Sequence, residues 1–140
     1  MALVLCTGID FALVETRKLI LEKAGHTVIT AMDDKEMVAA CRENAFDIAV
    51  IGQIEASNIK RHFFDMLRYN CCSAQILELF TADAGPVLAE ADSWLEVPAN
   101  SPNDLANKVV ELANRKGKKV PDRGRPLVRL KKKKFVVDVL

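Results

Sequence analysis

The sequence predicts an α/β domain in which a parallel sheet carries helices on both faces. Three observations lead there. Short β-branched and apolar runs recur up to residue 98, several without polar alternation, as in strands buried on both faces. Between them lie segments with apolar residues at helical spacing and capping residues at their starts. Half of the 140 residues are hydrophobic, enough for one sizeable core. No run approaches the roughly 18 apolar residues of a membrane span.

The elements follow in order. ALVLCTG (2–8) is an apolar run closed by glycine, a first strand. Asp10 is placed to cap the helix FALVETRKLILEKAG, whose inner stripe holds Leu13, the Arg17 stem, Ile20, Leu21 and Ala24, and which stops at Gly25. HTVITAM (26–32) alternates as a second strand. DDKEMVAACREN (33–44) opens with acids suited to a helix N-terminus and sets Met37, Val38 and Cys41 on one stripe. FDIAVIG is the third strand. SNIKRHFFDMLRYN (57–70) predicts a helix capped by Ser57, with Ile59, Phe63, Met66 and Leu67 as its apolar face.

AQILELFT (74–81) is the fourth strand. ADAGPVLAEA (82–91) leaves room for a turn or two of helix at most. DSWLEVP (92–98) is the fifth strand, and SPNDLANKVVELANRKG (101–117) a last helix with Ser101 as N-cap and Pro102 in its first turn. Strand and helix thus alternate five times. After Gly117 the composition changes to a proline-, glycine- and charge-rich linker followed by LVRLKKKKFVVDVL. The expected division is a domain over residues 1–116 and a basic linker and tail over 117–140.

The net charge of +1 hides an asymmetry. Residues 115–140 hold 11 Lys/Arg and 2 Asp/Glu, or +9, against 9 and 17 in residues 1–114, or −8. The four cysteines, Cys6, Cys41, Cys71 and Cys72, show no C-x-x-C spacing and read as reduced, small, semi-buried thiols. His26 and His62 have no neighbouring ligands in the sequence, so no metal site is expected. The N-terminus lacks the basic segment and cleavage site of a signal peptide, and the expected location is the cytoplasm. No nucleophile–base pair, phosphate loop or metal cluster is visible, so neither enzymatic activity nor a cofactor is expected.

The order of elements, with the segments LCTGID…RKLILEKAGHTVITA, FDIAVIG, LFTA and ADSWLEVP, resembles the receiver domain of two-component response regulators across most of the chain. The resemblance implies a flavodoxin-like doubly wound sheet of five parallel strands in the order 2-1-3-4-5, with chemistry at the carboxyl ends of the strands. In that family an acid pair closing the first strand holds Mg²⁺, and an Asp closing the third accepts a phosphoryl group. A Thr or Ser closes the fourth, and a Lys precedes the proline after the fifth. Together they share out the charge of the transferring group.

Carried over by position, most of this set is missing. The acid pair falls on Gly8 and Ile9, or on Thr7 and Gly8 in a register one residue earlier. The acceptor is Gly52, the lysine is Val97, and only Thr81 matches. Asp10 matches a frequently acidic neighbouring site. The resemblance is therefore to a degenerate receiver, a pseudo-receiver without phosphoryl transfer or Mg²⁺. An aspartate put back at Gly52 is expected to destabilise the chain as a charge without a partner. Gln53 or Glu55 could stand in for the lost acceptor, although Glu55 on a loop reads as solvated. Asp47, at the amino end of its strand, reads as remote from the site. Trp94 falls on the family's aromatic switch position; it either reports a conformational state with Thr81 or fills the gap beside the shortened fourth helix. Because Thr81 and Val97 are closer in sequence than the family's Thr and Lys, the face used there for dimers and output is rebuilt.

Two functions from different classes follow. One is a non-catalytic, phosphorylation-independent signalling or scaffold module that binds a protein partner or a second copy of itself, through Trp94 and the tail. The other is a nucleic-acid-associated protein whose Lys131, Lys132, Lys133 and Lys134 contact phosphates; an acidic-lipid contact by the same lysines is a weaker third. In FVVDVL, Phe135, Val137 and Val139 would line one face of a strand able to join a sheet edge or a partner groove, where a plain charge run would stay solvated.

Overall fold

A computed structural model describes residues 1–99 and 101–117. The elements are β1 (Leu3–Thr7), α1 (Phe11–Lys23), β2 (Thr27–Ala31), α2 (Asp34–Glu43), β3 (Ile48–Ile51), α3 (Ser57–Asn70), β4 (Gln75–Phe80), β5 (Ser93–Glu96) and α4 (Pro102–Gly117). The five strands form one parallel sheet in the order β2-β1-β3-β4-β5. This is the doubly wound arrangement expected from the sequence.

Local signals set most boundaries. The Leu13 N–H donates to the Asp10 carboxylate at the start of α1, and the Glu36 N–H to that of Asp33 at the start of α2. After α1 the chain turns at Gly25 with φ +100, a conformation that a side chain would resist. At α4 the Asn103 N–H donates to the Ser101 hydroxyl while the Ser101 N–H donates to the Asp104 carboxylate, a reciprocal cap followed by Pro102 in the first turn. The cap expected at Ser57 is not made: Ala56 holds that position without a side-chain bond, and Ser57 is already helical.

The sheet buries a core on each face. Leu5, Ala49, Ile51 and Ile76 meet Met37 of α2 and Phe63, Phe64 and Leu67 of α3. On the other face Val4, Cys6, Val50, Leu77 and Leu79 meet Val14 and Leu21 of α1 and Leu105, Val109 and Leu112 of α4. β1 and β3 are nearly all buried, which is why their sequences lack polar alternation.

Three further expectations are corrected. In α3 Phe63, Met66 and Leu67 face the core as anticipated, but Ile59 is 41% exposed and Lys60, 2% exposed, takes the inner position in the first turn. No fifth helix forms: Thr81–Asp92 crosses from β4 to β5 as turns and extended chain, and Leu88 and Ala91 of this crossover fill the core beside α3. Cys41 and Cys71 are not thiols but a disulfide, with Cα atoms 5.5 Å apart across the ends of α2 and α3. Cys6 is a buried thiol and Cys72 an exposed one. No helix among the described residues is long and apolar enough to cross a membrane.

At the amino end of the sheet the Ala2 N–H donates to Nδ1 of buried His26, and the Leu3 N–H to the Asp47 carboxylate. Accepting through Nδ1 requires the neutral imidazole, and burial together with the chain's amino-terminal charge pushes the His26 pKa down. A depressed folded-state value makes this contribution complete above the unfolded value of about 6.5, and it is lost as pH falls below it. Urea unfolding at stepped pH is expected to show stability declining between about pH 7 and 5, as folding has to exclude a proton that the unfolded imidazole binds. In His26→Asn, whose side-chain oxygen can accept the same N–H, that part of the slope should vanish.

Candidate functional site at the carboxyl ends of the strands

The carboxyl ends of β1, β3, β4 and β5 bring several of the singled-out positions together. The Gly52 N–H donates to the Thr7 carbonyl at 2.8 Å, continuing the β1–β3 ladder past its last paired residues. Gly8 and Gly52 are both buried and face each other: a Cβ on Gly8 would lie 3.7 Å from the Gly52 Cα and 3.3 Å from Val14 Cγ2. Across the sheet, Thr81 follows the end of β4, and the Val97 N–H donates to the Phe80 carbonyl beside it. Val97 is buried and precedes a cis peptide at Pro98. Ile9 instead projects outward and is largely exposed.

Sequence reasoning placed Arg17 only as an apolar stem. In the structure its Nη1 stands 2.9 Å from where a Cβ on Gly52 would be, and its Nη2 donates to Gln53 Oε1 at 2.6 Å. The guanidinium thus fills the space into which a side chain at position 52 would project. Gln53 is committed to Arg17, and Glu55 is exposed. Burial lowers the pKa of Arg17, against the opposing fields of Cys6 and Asp10; in the same apolar surroundings the Cys6 thiol is pushed up to about 12, so it is no nucleophile at neutral pH. Among the described residues no three carboxylate, His or Cys side chains are grouped to hold a metal ion.

Arg17 corrects the expectation for an aspartate at position 52: the new charge would have a partner. The Cβ needs room from Arg17, the mobile end of a long side chain, and a few tenths of an ångström from the Thr7 carbonyl at 3.3 Å. Gly52→Asp is therefore expected to lose less than about 2 kcal/mol, because the carboxylate takes the guanidinium from Gln53. Adding Arg17→Gln should remove about 1.5–3 kcal/mol more, the worth of a charged hydrogen bond in a buried place. Urea midpoints of the parent and the two variants decide it, and equal stability of Gly52→Asp with and without Arg17 would refute the pairing.

The second assembly lies on the α2/α3 face and was not foreseen. Lys60 of α3 and Glu78 of β4 form a buried ion pair, Nζ to Oε2 at 2.8 Å, and Lys60 also donates to the Leu79 carbonyl at 2.7 Å. The Glu78 carboxylate accepts from the N–H groups of Val87 and Leu88, both at 2.9 Å. Arg61 and Arg68 reach the same crossover at the Val87 and Glu90 carbonyls. Trp94, 39% exposed on β5, donates its indole N–H to the Leu88 carbonyl. In place of a helix, a buried carboxylate and two arginines hold the crossover. Lys131, Lys132, Lys133, Lys134, Phe135, Val137 and Val139 lie outside the described residues.

No family model matches the chain, and a search of curated proteins finds no match. Solved structures do. The chain is similar to a CheY-like response regulator receiver domain protein from Methanospirillum hungatei at 20% identity and a TM-score of 0.71, covering 86% of this chain and 99% of that one. A receiver domain of the Francisella response regulator 1452 matches at 22% identity and 0.68, over 83% and 99% of the two chains. The chemotaxis response regulator CheY4 of Vibrio cholerae matches at 24% identity and 0.65, over 80% and 98%. The fold is that of response regulator receiver domains.

Proposed function

We propose that this chain is a phosphorylation-independent receiver-like module that works by binding a protein, either a partner or a second copy. The observation that supports the reading is at position 52, where the resemblance places the acceptor: the residue is glycine, and the Arg17 guanidinium stands where its side chain would project. A phosphoryl group there would have neither a nucleophile nor the acid pair and lysine that the chemistry needs. The crossover pinned by Glu78, with Trp94 half out of the surface beside it, replaces the helix that receiver domains carry there and supplies a distinct face for contact. In this reading residues 1–116 are the binding module and 117–140 an accessory tail.

Acetyl phosphate or beryllium fluoride is expected to leave the protein unaltered. Intact mass after incubation checks the first, and a stoichiometric phosphoryl adduct on any aspartate would sink the proposal. The +9 over residues 115–140 favours the second reading, nucleic-acid association. Replacing Lys131–Lys134 by Ala separates the two. Under the protein-binding reading, pull-down of the partner or second copy is weakened in a salt-dependent way but not lost, because Trp94 and the apolar end of the tail remain. Under the nucleic-acid reading, binding of labelled DNA or RNA disappears, and in the unaltered protein it falls steeply with salt.

A further inference from the structure

On the α1/α4 side of the sheet lies a groove of about 270 Å³. Leu13 and Ile20 of α1 form one wall, Leu79, Leu95 and Val97 the floor, and Leu105 of α4 the other wall. A dry apolar cavity of about 150 Å³ already accepts benzene, and small-molecule sites begin near about 300 Å³. The groove therefore has room for a short alkyl chain or one substituted ring, and its lining favours an apolar body.

Among the described lining residues Arg17 is the only charged one. A guanidinium offers five N–H donors, and Arg17 spends one on Gln53 Oε1. The ion pairs of the described residues join other groups, and none includes Arg17. Arg17 is thus a partly buried cation with spare donors and no salt-bridge partner among the described residues, the Asp10 carboxylate reaching it only as a field, and such a cation can receive an anion. Its planar fork matches one carboxylate; a phosphate dianion would call for more positive charge than a single guanidinium supplies.

We propose that this groove binds a small amphipathic carboxylate, its acid group on Arg17 and its alkyl or aryl body against Leu79, Leu95 and Leu105. The inference stands apart from the protein-binding reading, since groove and cation serve either kind of module. It also puts a ligand on the residue that covers Gly52, so the bound acid would act where receiver domains are phosphorylated.

Titration calorimetry and thermal melting of the full chain with octanoate and 3-phenylpropanoate test it, with 1-octanol as the neutral match. At least one acid is expected to bind saturably at one to one and raise the melting temperature, and octanol is not. Arg17→Gln should weaken that binding about tenfold or more, the loss of a charge-assisted pair. Ala99→Phe, which fills the groove from its rim and leaves Arg17 in place, should also abolish it. Octanol binding as well as the acid, unchanged affinity in either variant, or no saturable binding of either acid would overturn the proposal. So would binding that emerges only when Phe135, Val137 and Val139 are changed to Ser, because the groove would then belong to the chain's own end segment.

Discussion

Lys60→Met is expected to cost about 3–5 kcal/mol of folding stability, the range for removing one partner of a buried ion pair. The loss has little to do with the net worth of the pair. With Lys60 gone, the Glu78 carboxylate, 0% exposed, keeps only the Val87 and Leu88 N–H groups to replace its hydration. Glu78→Leu should cost at least as much, for two reasons. It leaves the Lys60 ammonium with the Leu79 carbonyl alone, and it orphans two backbone donors of the crossover. Combining Lys60→Met with Glu78→Leu should cost less than the sum of the two, since each single change strands the other's charge. Urea unfolding provides the cycle. Hydrogen exchange adds a readout specific to the crossover: Val87 and Leu88 amides should lose protection in Glu78→Leu before β3 and β4 do. A Lys60→Met protein within about 1 kcal/mol of the parent would show that Glu78 is not left as an uncompensated buried charge.

Reduction of Cys41–Cys71 is expected to cost about 3–4 kcal/mol. The bridge joins residues 30 apart, and the chain-entropy estimate for a loop of that length falls in this range. The effect should appear as a lower urea midpoint in dithiothreitol and equally in the Cys41→Ala/Cys71→Ala double variant, in which the reductant then changes nothing. Labelling provides an independent check. In the oxidised native protein iodoacetamide should modify Cys72 alone, because Cys41 and Cys71 are bonded and Cys6 is a buried thiol with its pKa near 12. Three or more labels on the native, unreduced protein would mean that the bridge is open.

The sequence by itself determined whatever depends on neighbours within a few residues. Apolar β-branched runs became strands, Asp10, Asp33 and Ser101 capped the helices they precede, and Gly25 ended α1, because these signals act through bonds across three or four positions. The strand order was legible only through the resemblance. The glycine at position 52 was plain in the sequence; what faces it was not. Tertiary structure decided that Arg17, 35 positions away in the chain, covers Gly52, that Cys41 meets Cys71, and that Lys60 turns inward to Glu78. Each of these depends on how a helix is rotated and seated against the sheet. In α3 the apolar periodicity placed Phe63, Met66 and Leu67 rightly, and in the first turn the buried Glu78 carboxylate selected Lys60 over Ile59 for the inner face, since a buried charge must be met by another while an exposed isoleucine costs little.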